Sequence, residues 1–232
     1  MLATYEFLDA EECSRVRDII MGLQEHWVNR ASGFLPFYTL GAASYLDTTS
    51  TDQEAYYQAA MRDNPILESH FPMLYEMLCE KLAEITGFPT HFADKMALPG
   101  FHIFLYNKTF EYPVAHTHFD LQFQSLKWEY EKVDLEHPIS FTCPIVMPKT
   151  GSGLNYWEIT RDETKHLSDG ELENLRRSKE TLYFPYKQGN LIFHEGLVLH
   201  QIAPSKDLQE DDERITLQGH GIVCDGVLCL YW

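Results

Sequence analysis

Gly189-Asn190-Leu191-Ile192-Phe193-His194-Glu195-Gly196-Leu197-Val198-Leu199-His200-Gln201-Ile202-Ala203-Pro204 is the stretch whose reading decides how this 232-residue chain folds. Asn190-Leu191-Ile192-Phe193 follows the turn residues Lys187-Gln188-Gly189 and has the bulky, branched texture of a short strand. Leu197-Val198-Leu199 then leads directly into His200, an imidazole at the end of an apolar run. Runs of the same kind recur on both sides, at 101–106, 139–142, 154–157, 181–184, 215–218 and 227–230. Turn residues from Pro148 to Gly153 and at Asp225-Gly226 separate some of them. Seven or eight short strands at this spacing predict a sandwich or barrel of the jelly-roll kind.

Upstream of Gly87 the periodicity changes to that of helices. Asp9 and Glu12 form a capping box, and Val16, Ile19, Ile20, Leu23 and Trp27 follow as an apolar stripe. Phe71, Leu74, Leu78, Leu82 and Ile85 make a second stripe that Gly87 and Pro89 terminate. The chain therefore reads as one domain, mainly β with N-terminal helices. Residues 1–96 are a helical buttress, and 97–232 a jelly-roll core with a polar insert around 161–179. That insert is partly helical and superficial, or else a lid over a site.

Composition narrows the function. The net charge of −17, from 18 Lys and Arg against 35 Asp and Glu, opposes nucleic-acid binding and repels anionic membranes. No apolar run approaches the roughly 18–20 residues of a membrane helix, and the first residues lack the basic-then-apolar pattern of a secretory signal. Five cysteines, odd in number and scattered, make a disulfide framework unexpected and point to a reducing cytoplasm. Oligomeric state is not legible.

Three residues stand out as metal ligands. His118 and Asp120 form the sole His-x-Asp in the sequence, and residues two apart in an extended segment project to the same face. With eleven histidines such a pair arises readily by chance, so its meaning depends on what accompanies it. His200 can come opposite the pair in a barrel. Two imidazoles and one carboxylate leave adjacent positions open on a metal, as non-haem iron(II) chemistry requires. Arg214 and Thr216 then share a strand face, and a guanidinium fork beside a hydroxyl is suited to gripping a carboxylate.

His118-Phe119-Asp120, the 189–204 segment and Arg214-Ile215-Thr216 together resemble the iron(II)/2-oxoglutarate-dependent dioxygenase superfamily, over roughly residues 97–232. The resemblance implies a double-stranded β-helix, cupin-like, with Fe(II) held by His118, Asp120 and His200. It implies 2-oxoglutarate chelating the iron while Arg214 and Thr216 hold its distal carboxylate, with Tyr106 a further candidate contact. Dioxygen (O2) and 2-oxoglutarate would be consumed, giving succinate and carbon dioxide. Hydroxylation of an unactivated C–H in a small molecule or amino-acid-like substrate is the expected outcome. A carboxylate at position 120 disfavours halogenation, since the family's halogenases have a small residue there.

Alternatives remain open in the sequence. His116, His118 and His200 would make a three-histidine, cupin-type dioxygenase independent of 2-oxoglutarate, and His194 is an alternative distal ligand. A non-catalytic jelly-roll binding module is a third reading. Gln122, Phe123, Trp128, Trp157 and Gly151-Ser152-Gly153 are candidates for the pocket wall, with core packing or turn geometry as the default. Residues 34–46 are expected to help shape the pocket. His194-Glu195 lacks the second histidine of a zinc-protease helix, and no hydrolase elbow, phosphate loop or dinucleotide fingerprint occurs.

Overall fold

Alternation along one strand sets the architecture. In β11 (Arg214–Cys224) the residues Ile215 and Leu217 are fully buried in an apolar core, whereas Gln218 and His220 face a cavity. β5 (Gly100–Phe104) runs antiparallel beside it with the same parity: Phe101 and Ile103 enter the core, while His102 and Phe104 face the cavity. A sheet built this way has an apolar side for helices and a polar side for chemistry. The computed structural model describes residues 2–48 and 53–232.

The large sheet also contains β1 (Leu2–Glu6), β2 (Val28–Asn29), β3 (Phe37–Leu40), β6 (Ile139–Val146) and β9 (Asn190–Glu195), in the order β1-β9-β6-β11-β5-β3-β2. β12 (Val227–Tyr231) pairs with β11 and carries β4 (Thr90–Phe92) on its other edge. Facing this is a small sheet of β10 (Val198–Ile202), β7 (Leu154–Thr160) and β8 (Leu182–Phe184), ordered β10-β7-β8. An antiparallel bridge between His118 and His200 adds the His118 segment to its free edge. From β5 onward the chain passes between the two sheets repeatedly, so this is a jelly-roll core of the double-stranded β-helix kind. The expected fold class is what the structure has.

Helices cover the apolar side. In α1 (Ala10–Gly22) the capping box forms as expected, with Asp9 Oδ1 accepting from Glu12 N at 2.7 Å and Glu12 Oε2 accepting from Asp9 N at 2.8 Å. α4 (Pro72–Thr86) starts at a proline and ends at Gly87, whose φ of 76° is the left-handed conformation glycine adopts most cheaply. Val16 and Ile20 of α1 and Leu74, Leu78 and Leu82 of α4 share one core with Phe101, Ile103, Ile145, Ile215 and Leu217. Each fully buried aliphatic side chain there contributes about 1.5–3 kcal/mol.

Some elements were not expected. α3 (Glu54–His70) buries Tyr56, Ala59, Ala60, Asp63 and Leu67 at helical spacing, but small and polar residues on that face weaken the apolar signal. Its Asn64-Pro65 also reads as a turn; here the Asn64 amide bonds Met96 O and Leu98 N at 2.8 and 3.0 Å, tying α3 to the approach of β5. The region before residue 97 contributes β1 to β4 as well as helices, because short strands borrow their stability from the sheet edges they extend. The polar insert folds as α5 (Arg161–Thr164) and α6 (Asp169–Ser178). Leu172 and Leu175 of α6 pack against Trp157, Ile159 and Leu199, so the insert backs the small sheet. None of its residues lines the cavity. A further helix, α2 (Ser44–Asp47), lies within the 34–46 stretch and its flank.

Candidate metal and cosubstrate site

His118 and His200 meet because their backbones pair. His118 N donates to His200 O at 2.9 Å and His200 N donates to His118 O at 3.0 Å, which sets the two imidazoles 4.5 Å apart, centre to centre. Two residues on, Asp120 N donates to Gly196 O at 2.9 Å, anchoring the carboxylate to the β9–β10 turn. The register of β10 against β7 shifts between Val198 and His200, with the extra residues on β7. One donor atom from each of His118, Asp120 and His200 falls within 4.8 Å of the others. His118 Nε2 lies 3.6 Å from Asp120 Oδ1, and His200 Nε2 lies 3.6 Å from Asp120 Oδ2.

The ring nitrogens are already assigned by their surroundings. His118 Nδ1 donates to His116 O at 2.9 Å and His200 Nδ1 donates to Val198 O at 2.8 Å. A carbonyl can only accept, so the proton sits on Nδ1 and each Nε2 presents a lone pair to the common centre. Burial pushes His200 down to about 3, against the pull of Asp120. Burial also acts to raise Asp120, but His200, His220, His118 and His194 hold it well below the ordinary carboxylate range. Near neutral pH His200 is therefore a neutral imidazole beside the Asp120 carboxylate, the ionisation states these two need as ligands of a divalent metal.

Behind Asp120 stands a chain of contacts that the sequence did not announce. Ser140 Oγ donates to Asp120 Oδ2 at 2.6 Å and meets His220 Nδ1 at 3.0 Å; Gln122 Nε2 meets His220 Nε2 at 2.6 Å. Since Ser140 spends its proton on the carboxylate, His220 Nδ1–H donates to Ser140 and Nε2 accepts from Gln122. The signal for this was present but faint: Arg214, Thr216, Gln218 and His220 occupy alternate positions of a strand whose intervening residues are apolar or glycine.

The triad opens into a cavity of about 920 Å³. Phe37, Ser44, Tyr45 and Leu46 line it, so the 34–46 stretch does shape the pocket, and Gln122 does too. Phe123 and Trp128 instead pack in the core around α3, and Trp157 is buried beneath α6. His194 lines the cavity with its ring edge-on to His200, centres 4.9 Å apart, but lies outside the three-residue donor cluster. His116 supplies its backbone carbonyl to His118, and its ring is likewise outside that cluster.

Arg214 is as buried as His200, 5% exposed, and is not among the residues lining the triad's cavity. Its Nε donates to Ser152 O at 3.3 Å and its Nη1 to Thr216 Oγ1 at 3.5 Å, while Nη2 is buried with no partner. Burial lowers its pKa to about 10, with Tyr186 acting in the opposite direction, so it is a cation at neutral pH. No carboxylate pairs with it among the described residues. A buried, uncompensated guanidinium is costly unless an anion arrives to meet it. Arg214 borders a second space of about 40 Å³ that shares Phe104, Phe110, Val114, Ala115 and Ile202 with the main cavity. Tyr106 lies just beyond the end of β5 at Phe104 and lines the same smaller space as Arg214. The tyrosine that lines the main cavity and interacts with Arg214 is Tyr186.

Neither a family model nor a curated protein sequence matches the chain. Solved structures do. An N-substituted L-amino acid dioxygenase from Burkholderia ambifaria AMMD, in complex with alpha-ketoglutarate, superposes with a TM-score of 0.60 at 10% identity, covering 100% of this chain and 86% of that one. The alpha-ketoglutarate-dependent epimerase SnoN of nogalamycin biosynthesis gives 0.55 at 13% identity, covering 96% and 77%. The carbocyclase SnoK of the same biosynthesis gives 0.51 at 12%, covering 95% and 78%. This is the fold of the non-haem 2-oxoglutarate-dependent oxygenases. Within that fold, the triad sits where the two sheets meet, and the donor set of two imidazoles and one carboxylate fits iron(II). The orphaned Nη2 of Arg214 fits a dicarboxylate that brings its own negative charge.

Proposed function

We propose that this protein is an iron(II)- and 2-oxoglutarate-dependent oxygenase that oxidises a small molecule, with hydroxylation of a C–H bond as the outcome. The observation that carries this reading is the pairing, in one barrel, of the His118–Asp120–His200 cluster with the unpaired buried cation of Arg214. A metal centre alone fits several chemistries, and a lone buried arginine fits several anions. Together they match a cosubstrate that chelates metal at one end and carries a carboxylate at the other.

In this reading His118, Asp120 and His200 hold the metal. Arg214, backed by Thr216, grips the distal carboxylate of 2-oxoglutarate. Ser140 fixes the rotamer of Asp120 and engages its second oxygen. Iron(II) with 2-oxoglutarate and dioxygen supplies an oxidant strong enough to take hydrogen from an unactivated C–H, with succinate and carbon dioxide as co-products. Phe37, Phe104 and Phe119 wall the reaction space with apolar surface, which keeps water from the reacting centre. The carboxylate of Asp120 fills a ligand position that chloride would need for halogenation.

Consumption of 2-oxoglutarate tests the proposal. Succinate should form on adding iron(II) in air, stop with a chelator and resume when iron(II) is restored. Iron-loaded protein that releases no succinate against a broad metabolite panel would contradict it, as would turnover that survives both chelation and Arg214→Gln.

A further inference from the structure

Resting on that reading of the site, we propose that the substrate is electrically neutral at pH 7: an uncharged, hydrogen-bonding molecule with an apolar body, and not a free amino acid or an organic acid. The chain has 18 Lys and Arg and 35 Asp and Glu. Among the described residues, Asp120 is the only one of these that lines the cavity. Its carboxylate belongs to the metal.

Neighbouring charges are already committed. Arg30, beside the α2 wall, makes a two-pronged pair with Asp47 at 2.7 and 2.8 Å, and Asp47 Oδ2 also accepts from Ala43 N. Arg214 is taken by the cosubstrate. Iron(II) and Arg214 bring three positive charges to the loaded site, and Asp120 with 2-oxoglutarate brings three negative ones. The site is balanced before the substrate enters. A carboxylate or ammonium on the substrate would find no counter-charge among the described residues of the wall, a penalty that weakens binding by roughly 100-fold or more.

The wall offers neutral contacts instead. The Tyr45 hydroxyl, bonded to His102 Nε2 at 2.8 Å, and the Gln122 and Gln218 amides border the cavity. Ser44 Oγ and Thr48 Oγ1 also belong to residues of its wall, and neither has a partner among the described residues. Ser44 is only 2% exposed, so its hydroxyl is an unmet hydrogen-bonding group in the wall rather than a solvated one. Leu35, Phe37, Leu46, Val114 and Phe119 supply the apolar surface for the body of the molecule.

The test is a matched series on one skeleton: 3-phenylpropanamide (neutral), 3-phenylpropanoate (anionic), 3-phenylpropylamine (cationic) and phenylalanine (zwitterionic). Binding is measured to the anaerobic iron(II) complex with saturating 2-oxoglutarate, so that Arg214 is already engaged. Two readouts independent of turnover are used, the shift of the visible metal-to-cosubstrate band and the rise in Tm. The amide should bind roughly 100-fold more tightly than each charged member, as an unpaired buried charge requires. A charged member that equals or exceeds the amide overturns the proposal, and so does failure of the amide to bind at millimolar concentration. If the band itself does not form before any probe is added, the oxygenase reading has failed, which is a distinct result.

Discussion

Ser140 is a small residue placed where a small change has a large reach. Its hydroxyl donates to Asp120 and accepts from His220, so one oxygen fixes both a ligand carboxylate and the tautomer of a buried ring. Removing such a partner ordinarily weakens metal binding by about 10- to 100-fold. Ser140→Ala should lose iron(II) affinity on that scale, in a chelator competition, while keeping its far-UV spectrum. Arg214→Gln should leave iron(II) binding intact and weaken 2-oxoglutarate by about 2–5 kcal/mol, the usual cost of truncating one partner of a buried charge pair. Anaerobic titration of the two ligands separately distinguishes these effects. His220 also sets a pH dependence: burial pushes it down to about 4, opposed by Asp120, whereas an unfolded histidine titrates near about 6.5. Between those values the unfolded chain binds the extra proton, so this contribution is complete above about 6.5 and is lost as pH falls toward 4. The slope is at most about 1.4 kcal/mol per pH unit for one group. Urea midpoints of the metal-free protein should fall across that window, and His220→Gln should flatten the fall.

At the scale of elements, the site depends on two strands with local irregularities. β10 shifts register just before His200, and β11 shifts against β6 between Ile215 and Thr216, next to Arg214. In both places the extra residues are on the partner strand, β7 beside His200 and β6 beside Arg214. Gly100, at the start of β5, is needed for a different reason: a Cβ there would overlap the Trp232 indole and crowd Leu40 O. Overpacking of this kind typically costs about 1–3 kcal/mol. Gly100→Ala should therefore lower Tm, and with it displace the Trp232 ring that packs 5.3 Å from His102. The strands at 190–193 and 215–218 were legible from their apolar, branched runs, whereas the strand that carries His200 and its bridge to His118 were not. α3 was not, since Ala59, Ala60 and Asp63 face inward and Pro65 imitates a break. The bulges were not either, because pairing register depends on the partner strand.

For the molecule as a whole, two halves with different sequence textures make one cavity. The barrel supplies His118, Asp120, His200 and the polar parity of β11, and these could be picked out from spacing and residue type. One side of the cavity wall comes from Ala31 to Leu46, a stretch of mixed composition whose role depends on where the helices and β3 carry it. That is why the grouping of the three donors could be read from the sequence and the shape of the pocket could not. Among the described residues no helix is long and apolar enough to cross a membrane. The helices serve as the backing of the large sheet. The central claim is that this cavity holds iron(II) and 2-oxoglutarate together, and anaerobic absorption spectroscopy addresses it most directly. Adding iron(II) and then 2-oxoglutarate should produce a weak visible charge-transfer band that is lost in Asp120→Ala and in His200→Ala. No band from the intact protein, or an undiminished band in both variants, would contradict the account.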